Sequence, residues 1–428
     1  VSACNHGRSP YLVTQLARFS PASVANIHAK EMESAFQKAC RAAYPIRTLQ
    51  VLYGFFDEPN VHLKFPVDHR DESYLQNLGH LLGSEHDHIR SVILPSFVPP
   101  SCLEAFFCAI AGSSTLQGLS LGGQKDDPPT CDALGLMLCD NTSVHRLHLD
   151  HTFFRSRGMA AAFLQGLAEN QSLQHLSIEL DRRSLCFTYD FQADLMATIV
   201  KKSQLSRLIV AGVSSERGQT IVHIDHLLTL LVSAHSLRAI HLARIRLENN
   251  VFQVAQAISS NTAAPLKDLT LSRCMMLSSS ASRFLSAVAL VLKLPTLEKL
   301  SISGNHLKNE HFLAILQLLE NNKSLIRLNY EENELLSSGK RALTQLVRKQ
   351  NQSLKWVLHE EITKSTDKLL FYYLGLNQCG RSEVISPDIT KRRFGRLIRK
   401  AKTCFDCDVL LVNGLYELLR EVPHVWCQ

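Results

Sequence analysis

Residues 297–307 read LEKLSISGNHL, residues 310–323 read EHFLAILQLLENNK, and residues 324–335 read SLIRLNYEENEL. Aligning Leu297, Leu300 and Ile302 with Leu325, Leu328 and Tyr330 gives one pattern, L-x-x-L-x-L-x-x-N-x-L, present in both the first and the last of these stretches. Leu300 and Ile302 alternate with Lys299, Ser301 and Ser303, so a short strand buries one face and presents the other. Asn305 and Asn333 fall where the chain leaves that strand, and a side-chain amide there can satisfy the backbone groups of a bend. Between the strands Phe312, Leu313, Ile315, Leu316, Leu318 and Leu319 follow helical spacing. One such unit cannot bury its own apolar face, so the units must stack.

Working outward, the first core position recurs at Ile89, Leu116, Val144, Leu173, Leu205, Leu237, Leu266, Leu297, Leu325 and Leu354. Each step is about 30 residues, the longest running from Leu173 to Leu205 and from Leu205 to Leu237. Each period has room for a strand and a full helix. The pattern resembles the leucine-rich repeats of ribonuclease-inhibitor type, over about residues 45–360. That resemblance implies an α/β solenoid, a horseshoe with a concave parallel sheet, convex helices and helical caps. The middle departs from the family's pattern, because Thr152, Asp181, Val213 and Ile245 hold the turn position, whereas Cys274 is a residue the family accepts there.

The expected organisation is an N-terminal helical cap (1–44), the repeat array (45–360) and a C-terminal helical tail (361–428). Residues 22–44 have helical periodicity, with Ser20 placed as N-cap and Pro21 at the first helical position. Residues 54–72 carry Pro59, Pro66 and mixed charges and read as a loop. In the tail, LNQCGR followed by LYELLREVP resembles a short segment found after leucine-rich or ankyrin repeats in some microalgal proteins.

At 428 residues the chain is long for one core but ordinary for an array that grows along one axis. Its formal charge of +7 does not by itself argue for nucleic acid, and no apolar run reaches the roughly 18 residues of a membrane span. Twelve cysteines are scattered over the chain, several inside apolar runs such as those around Cys108 and Cys139, which favours reduced thiols in an intracellular, cytoplasmic setting. Residues 1–30 lack acids and contain Arg8, Arg18 and Lys30, so organelle import stays open. Four N-x-S/T sequons, at Asn141, Asn170, Asn322 and Asn351, each precede a repeat strand, where asparagine suits a helix end.

The residues flanking the second and third core positions face the polar, concave side of the sheet. They include Arg146, His148, His175, Arg207, His241, Lys299, Arg327, Asn329, Glu331, Trp356 and Glu360. Neighbouring parallel strands lie about 5 Å apart, so these side chains form one mosaic suited to a folded protein partner, with Trp and Arg as anchors. The competing reading leaves this face merely solvated and puts binding on the convex side. In the tail, Lys391, Arg392, Arg393, Arg396, Arg399, Lys400 and Lys402 put seven cations in a single short run. Phe394, Leu397 and Ile398 supply an apolar docking face there, which leaves the cations solvated or available to an acidic protein, RNA or an anionic membrane.

Cys404, Cys407, His424 and Cys427 have zinc-like residue types. The intervening helical pattern would hold the two pairs about 18 Å apart, against a metal site there. Cys404-Phe405-Asp406 resembles the catalytic C-x-D of bacterial ubiquitin ligases with leucine-rich repeats, but the remaining tail is far shorter than their catalytic domain. No nucleophile and base, Walker loop or G-x-G-x-x-G pattern is present, so neither an enzyme nor a cofactor is expected. The expected function is a non-catalytic interaction or scaffold subunit for a protein partner. Small-molecule substrates, nucleic acid and membrane are disfavoured. An adaptor whose tail recruits effector machinery, or RNA or anionic-membrane binding through residues 390–403, are the alternatives.

Overall fold

The computed structural model describes residues 50–51, 62–64, 91–94, 100–123, 127–181, 184, 186–213, 222–275, 281–363 and 367–381. The chain divides into two compact units, residues 1–198 and 199–428. In the first, β1 (Gln50–Val51), β2 (His62–Lys64), β3 (Ser91–Leu94), β4 (Gly118–Leu121), β5 (Arg146–Leu149) and β6 (His175–Leu180) follow chain order. They are accompanied by α1 (Pro100–Ala111), α2 (Pro128–Asp140), α3 (Arg157–Glu169) and α4 (Tyr189–Val200). β1 pairs antiparallel with β2, and each later pairing through β6 is parallel. β2 lies inside the stretch expected to be a loop. So short a segment cannot show a period, and it is the pairing with β1 and β3 that makes it a strand.

The second unit repeats the scheme with β7 (Arg207–Gly212), β8 (Ala239–Ala243), β9 (Asp268–Ser272), β10 (Lys299–Ser301), β11 (Arg327–Asn329) and β12 (Trp356–Leu358). Its helices are α5 (Ile224–Ser233), α6 (Val251–Ser260), α7 (Ala281–Val291), α8 (Asn309–Leu319), α9 (Ser337–Lys349) and α10 (Lys368–Gln378). All pairings from β7 to β12 are parallel. Strand, turn and helix recur in one order, and each unit is built as an α/β leucine-rich repeat solenoid. The N-terminal cap residues 1–44 lie outside the described residues.

The periodic leucines build the core. Leu297, Leu300, Ile302 and Leu307 are buried with Phe312, Ile315 and Leu319 of α8, and Leu325, Leu328 and Tyr330 repeat the arrangement one unit later. Each buried aliphatic side chain contributes on the order of 2 kcal/mol of transfer free energy, offset by the cost of ordering the chain.

Two sets of side-chain amides, buried except at the half-buried Asn322, tie repeat to repeat. At the turn, Asn305 Nδ2 donates to the carbonyls of Leu271 and Ile302, while its Oδ1 accepts from the amides of Cys274 and Met275. Asn333 does the same one repeat on, accepting from Asn305 and Leu307 and donating to Ile302 and Tyr330. Where the pattern has cysteine, the Cys274 thiol donates to Leu242 O, and burial pushes its pKa up to about 12.

The second set sits at the helix ends and uses the sequon asparagines. Asn141 Nδ2 donates to Ile110 O, Asn170 to Leu138 O, Asn322 to Leu292 O and Asn351 to Leu319 O. In each case Oδ1 accepts from the amides two and three residues on, for example Ser353 and Leu354. The sequon serines continue the bridge, as Ser172 Oγ does to Asn141 O and Val144 O. Asn377 adds a further rung by donating to Asn351 O and Leu354 O. The repeat scheme therefore runs through α10, and the signal lies in Asn377-Gln378-Cys379, which echoes Asn351-Gln352-Ser353 of the repeat before.

The LNQCGR stretch has a structural use at each polar position. Gln378 Nε2 donates to Lys355 O, and Gly380 has φ of +92°, a conformation costly for any side chain. That turn sends buried Arg381 back to the last carbonyls of α9, with Nη1 on Val347 O at 2.9 Å and Nη2 on Arg348 O at 2.6 Å. A guanidinium suits that place because the C-terminus of a helix is electronegative. Its carbon also lies 5.3 Å from the centre of the Tyr373 ring.

Asn351 is 1% exposed, and removing its amide strands backbone groups on both sides. Asn351→Ala is expected to lower stability by about 2–4 kcal/mol in urea denaturation, whereas Gln352→Ala next to it should stay within about 0.5 kcal/mol.

Candidate functional site

Exposure along the polar face of the sheet differs between the units. Every residue of β4 is buried, Ser120 being 5% exposed. In β5 His148 is 3% exposed, although its position in the repeat predicts an open surface. Its Nδ1 lies 3.0 Å from Ser177 Oγ, and burial pushes its pKa down to about 4. Arg146 and His175 are paired in register beside it, both half-buried. Burial of both faces of β4, and of β5 at His148, removes His148 from an accessible mosaic.

In the second unit the face opens toward the last strands. One row across it, in register, is Arg207, Ala239, Asp268, Lys299, Arg327 and Trp356. The next row contains His241, Ser301, Asn329 and Leu358. His241 Nε2 stands 3.2 Å from Asp268 Oδ1, and Lys299 Nζ 3.9 Å from Oδ2. Burial pushes the Asp268 carboxyl up, but the adjacent His241 imidazole with Lys299 and Arg207 outweighs it and holds it below the usual carboxylate value. Arg327 is exposed and has no ion pair among the described residues, and Trp356 is 52% exposed beside it. Asn329 uses its Oδ1 to accept from the Glu331 amide.

At the C-terminal ends of these strands the character changes to acidic. One residue per repeat there, just before the turn position, takes a left-handed backbone: Arg244, Arg273, Gly304 and Glu332. Over Gly304 the Arg273 guanidinium reaches the Glu332 carboxylate, with Nε to Oε2 at 2.6 Å. A side chain on Gly304 would collide with both residues. The Arg273 hydrogen bonds hold the Glu332 carboxyl below its usual range, yet both partners are well exposed, so the pair contributes no more than about 1 kcal/mol.

Beside it lies an open pocket of about 450 Å³ lined by Glu334, Glu360, Glu361, Lys340 and the buried His359. The His359 ring is held on both nitrogens, accepting from the Glu361 amide at Nδ1 and contacting Asn333 O through Nε2. Of this acidic border Glu331 and Glu360 stand out in the sequence as concave-face positions, and the runs EENE (331–334) and HEE (359–361) carry the rest.

Among the described residues no three His, Cys, Asp or Glu side chains are placed to hold a metal, and no helix is long and apolar enough to cross a membrane. Lys391, Arg392, Arg393, Arg396, Arg399 and Lys400, and the cysteines from Cys404 on, lie outside the described residues. What the site offers chemically is recognition: exposed cations and an aromatic ring on one side, carboxylates on the other.

No known family profile and no curated protein matches the chain. Among solved structures, it is similar to the leucine-rich repeat-containing protein LegL7 from Legionella pneumophila at 15% identity and a TM-score of 0.45, covering 81% of this chain and 99% of that one. It is also similar to a Bacteroides fragilis protein at 13% identity and a TM-score of 0.38, covering 82% and 85% of the two chains.

Protonation of His148 opposes folding. With a folded pKa of about 4 against 6.5, the unfolded chain takes up the proton first, so stability is full above pH 6.5 and falls as pH drops toward 4. The expected loss at pH 4 is on the order of 3 kcal/mol. His148→Gln should flatten the denaturation midpoint across that interval, measured by circular dichroism from pH 7 to 4.

Proposed function

We propose that this chain is a non-catalytic interaction or scaffold subunit that holds a protein partner on the polar face of β10, β11 and β12. The observation that carries the reading is the coincidence of Trp356, 52% exposed, with an exposed Arg327 that has no ion pair among the described residues, on the stretch of face where exposure is greatest. Tryptophan and arginine are the residues that most often anchor protein interfaces, and here neither is spent on the fold. Of the residues singled out from sequence, Lys299, Arg327, Asn329 and Trp356 carry the proposal. His148 serves packing instead.

A repeat of about 30 residues, with a helix in each described unit, supports the ribonuclease-inhibitor type. An intracellular location is part of the proposal. Cys131, Cys186, Cys274 and Cys379 are buried thiols, and three sequon asparagines are buried in backbone hydrogen bonds rather than offered to a glycan.

The test is quantitative capture of binding proteins by the intact chain and by two folded variants. Arg327→Ala with Trp356→Ala is expected to lose a stoichiometric partner that Phe252→Ser retains, Phe252 being exposed on α6. Loss in Phe252→Ser with retention in the double variant moves binding to the helical side and overturns the proposal.

A further inference from the structure

We infer that Lys299, Arg327 and Trp356 seat an acidic segment of the partner: an extended stretch with two or three carboxylates and one apolar side chain. This rests on the partner-binding reading above and names the chemistry of what is bound.

β10, β11 and β12 pair so that Lys299, Arg327 and Trp356 are adjacent in one row, spanning about 10 Å. Asp268 is the only carboxylate in that row, and it is committed to His241 and Lys299. Arg327 therefore presents a guanidinium with no ion pair among the described residues, between a lysine and an open indole, and its planar fork matches a carboxylate. An extended peptide crossing the strands places alternate side chains on one side about 7 Å apart. Carboxylates at i and i+2 can then meet Lys299 and Arg327, and an apolar side chain beyond them can meet the Trp356 ring.

The acidic border selects against broader anions. Glu331 and Glu360 lie in the turns that follow β11 and β12, so a headgroup plane or phosphate backbone wider than the strip would lay negative charge over them. Single-stranded nucleic acid also needs successive stacking platforms, and the row has one aromatic. A short acidic peptide occupies the strip and leaves the border to basic residues of the same partner.

The chain has two tryptophans, so Trp426→Phe in the intact chain leaves Trp356 as the sole reporter on this row. The probe is a synthetic Glu- and Asp-rich peptide carrying one leucine. The expected result is saturable change in Trp356 emission, weakened by salt and weakened at least about tenfold by Arg327→Glu, while Glu360→Gln leaves it equal or tighter. Arg327 has no ion pair to lose among the described residues, and an unchanged melting curve verifies that the variant is folded. The inference falls if the peptide gives no change, if Arg327→Glu binds it equally, or if oligouridylate or phosphatidylserine vesicles bind better. If the peptide fails while capture still depends on Arg327 and Trp356, the surface stands and only its acidic ligand is wrong. If capture is indifferent too, both readings fall.

Discussion

The structure depends on buried amides that satisfy backbone groups of the neighbouring repeat. A short strand followed by a tight turn and a helix leaves carbonyls and N–H groups that nothing in the same repeat can reach. An asparagine side chain donates and accepts at once, so one residue can close two backbones. Asn305 and Asn333 do this at the strand end, and Asn141, Asn170, Asn322 and Asn351 at the helix end. A sequon normally read for glycosylation is here a structural joint, with the amide buried at Asn141, Asn170 and Asn351 and half-buried at Asn322.

Where the turn asparagine is missing, other chemistry fills the place. Thr152 Oγ1 accepts from the Gly123 amide, and near it in the chain Phe153, Phe154, Phe163, Phe187 and Phe191 pack against one another with centroids 5.2 to 6.4 Å apart. An aromatic cluster supplies apolar area in place of directional bonds, which suits a stretch leading into the longest repeats, from Leu173 through Leu205 to Leu237. The regular repeats around Asn305 and Asn333, by contrast, hold their backbone with amides and leave their polar face free. Regularity and accessibility thus coincide in the second unit, and the strip of Lys299, Arg327 and Trp356 lies on its most regular part.

Much of this was legible in the residues. The recurrence of L-x-x-L-x-L-x-x-N-x-L set the strands, the helices between them, the turn asparagines and the helix-end asparagines, because each is a local requirement of one short unit repeated. The side chains flanking the second core position could be named for the same reason, since a strand alternates with period two. Asn377 carries a local signal in its echo of Asn351-Gln352-Ser353, whereas Arg381 escaped because its partner, Val347, lies 34 residues earlier and no local pattern marks such a pairing.

Accessibility was decided by tertiary structure alone. His148 and Arg327 occupy equivalent kinds of position in the repeat, yet one is buried against Ser177 with its pKa pushed down to about 4, while the other is exposed and has no ion pair among the described residues. Nothing within either strand distinguishes them, because exposure depends on what packs over the face from elsewhere in the chain. The same holds for Asp268, silenced by residues from two other strands, and for Arg273 and Glu332, which meet across 59 residues. Period and chemistry are properties of the local sequence, whereas solvent access and charge compensation are sums over neighbours that only folding brings together.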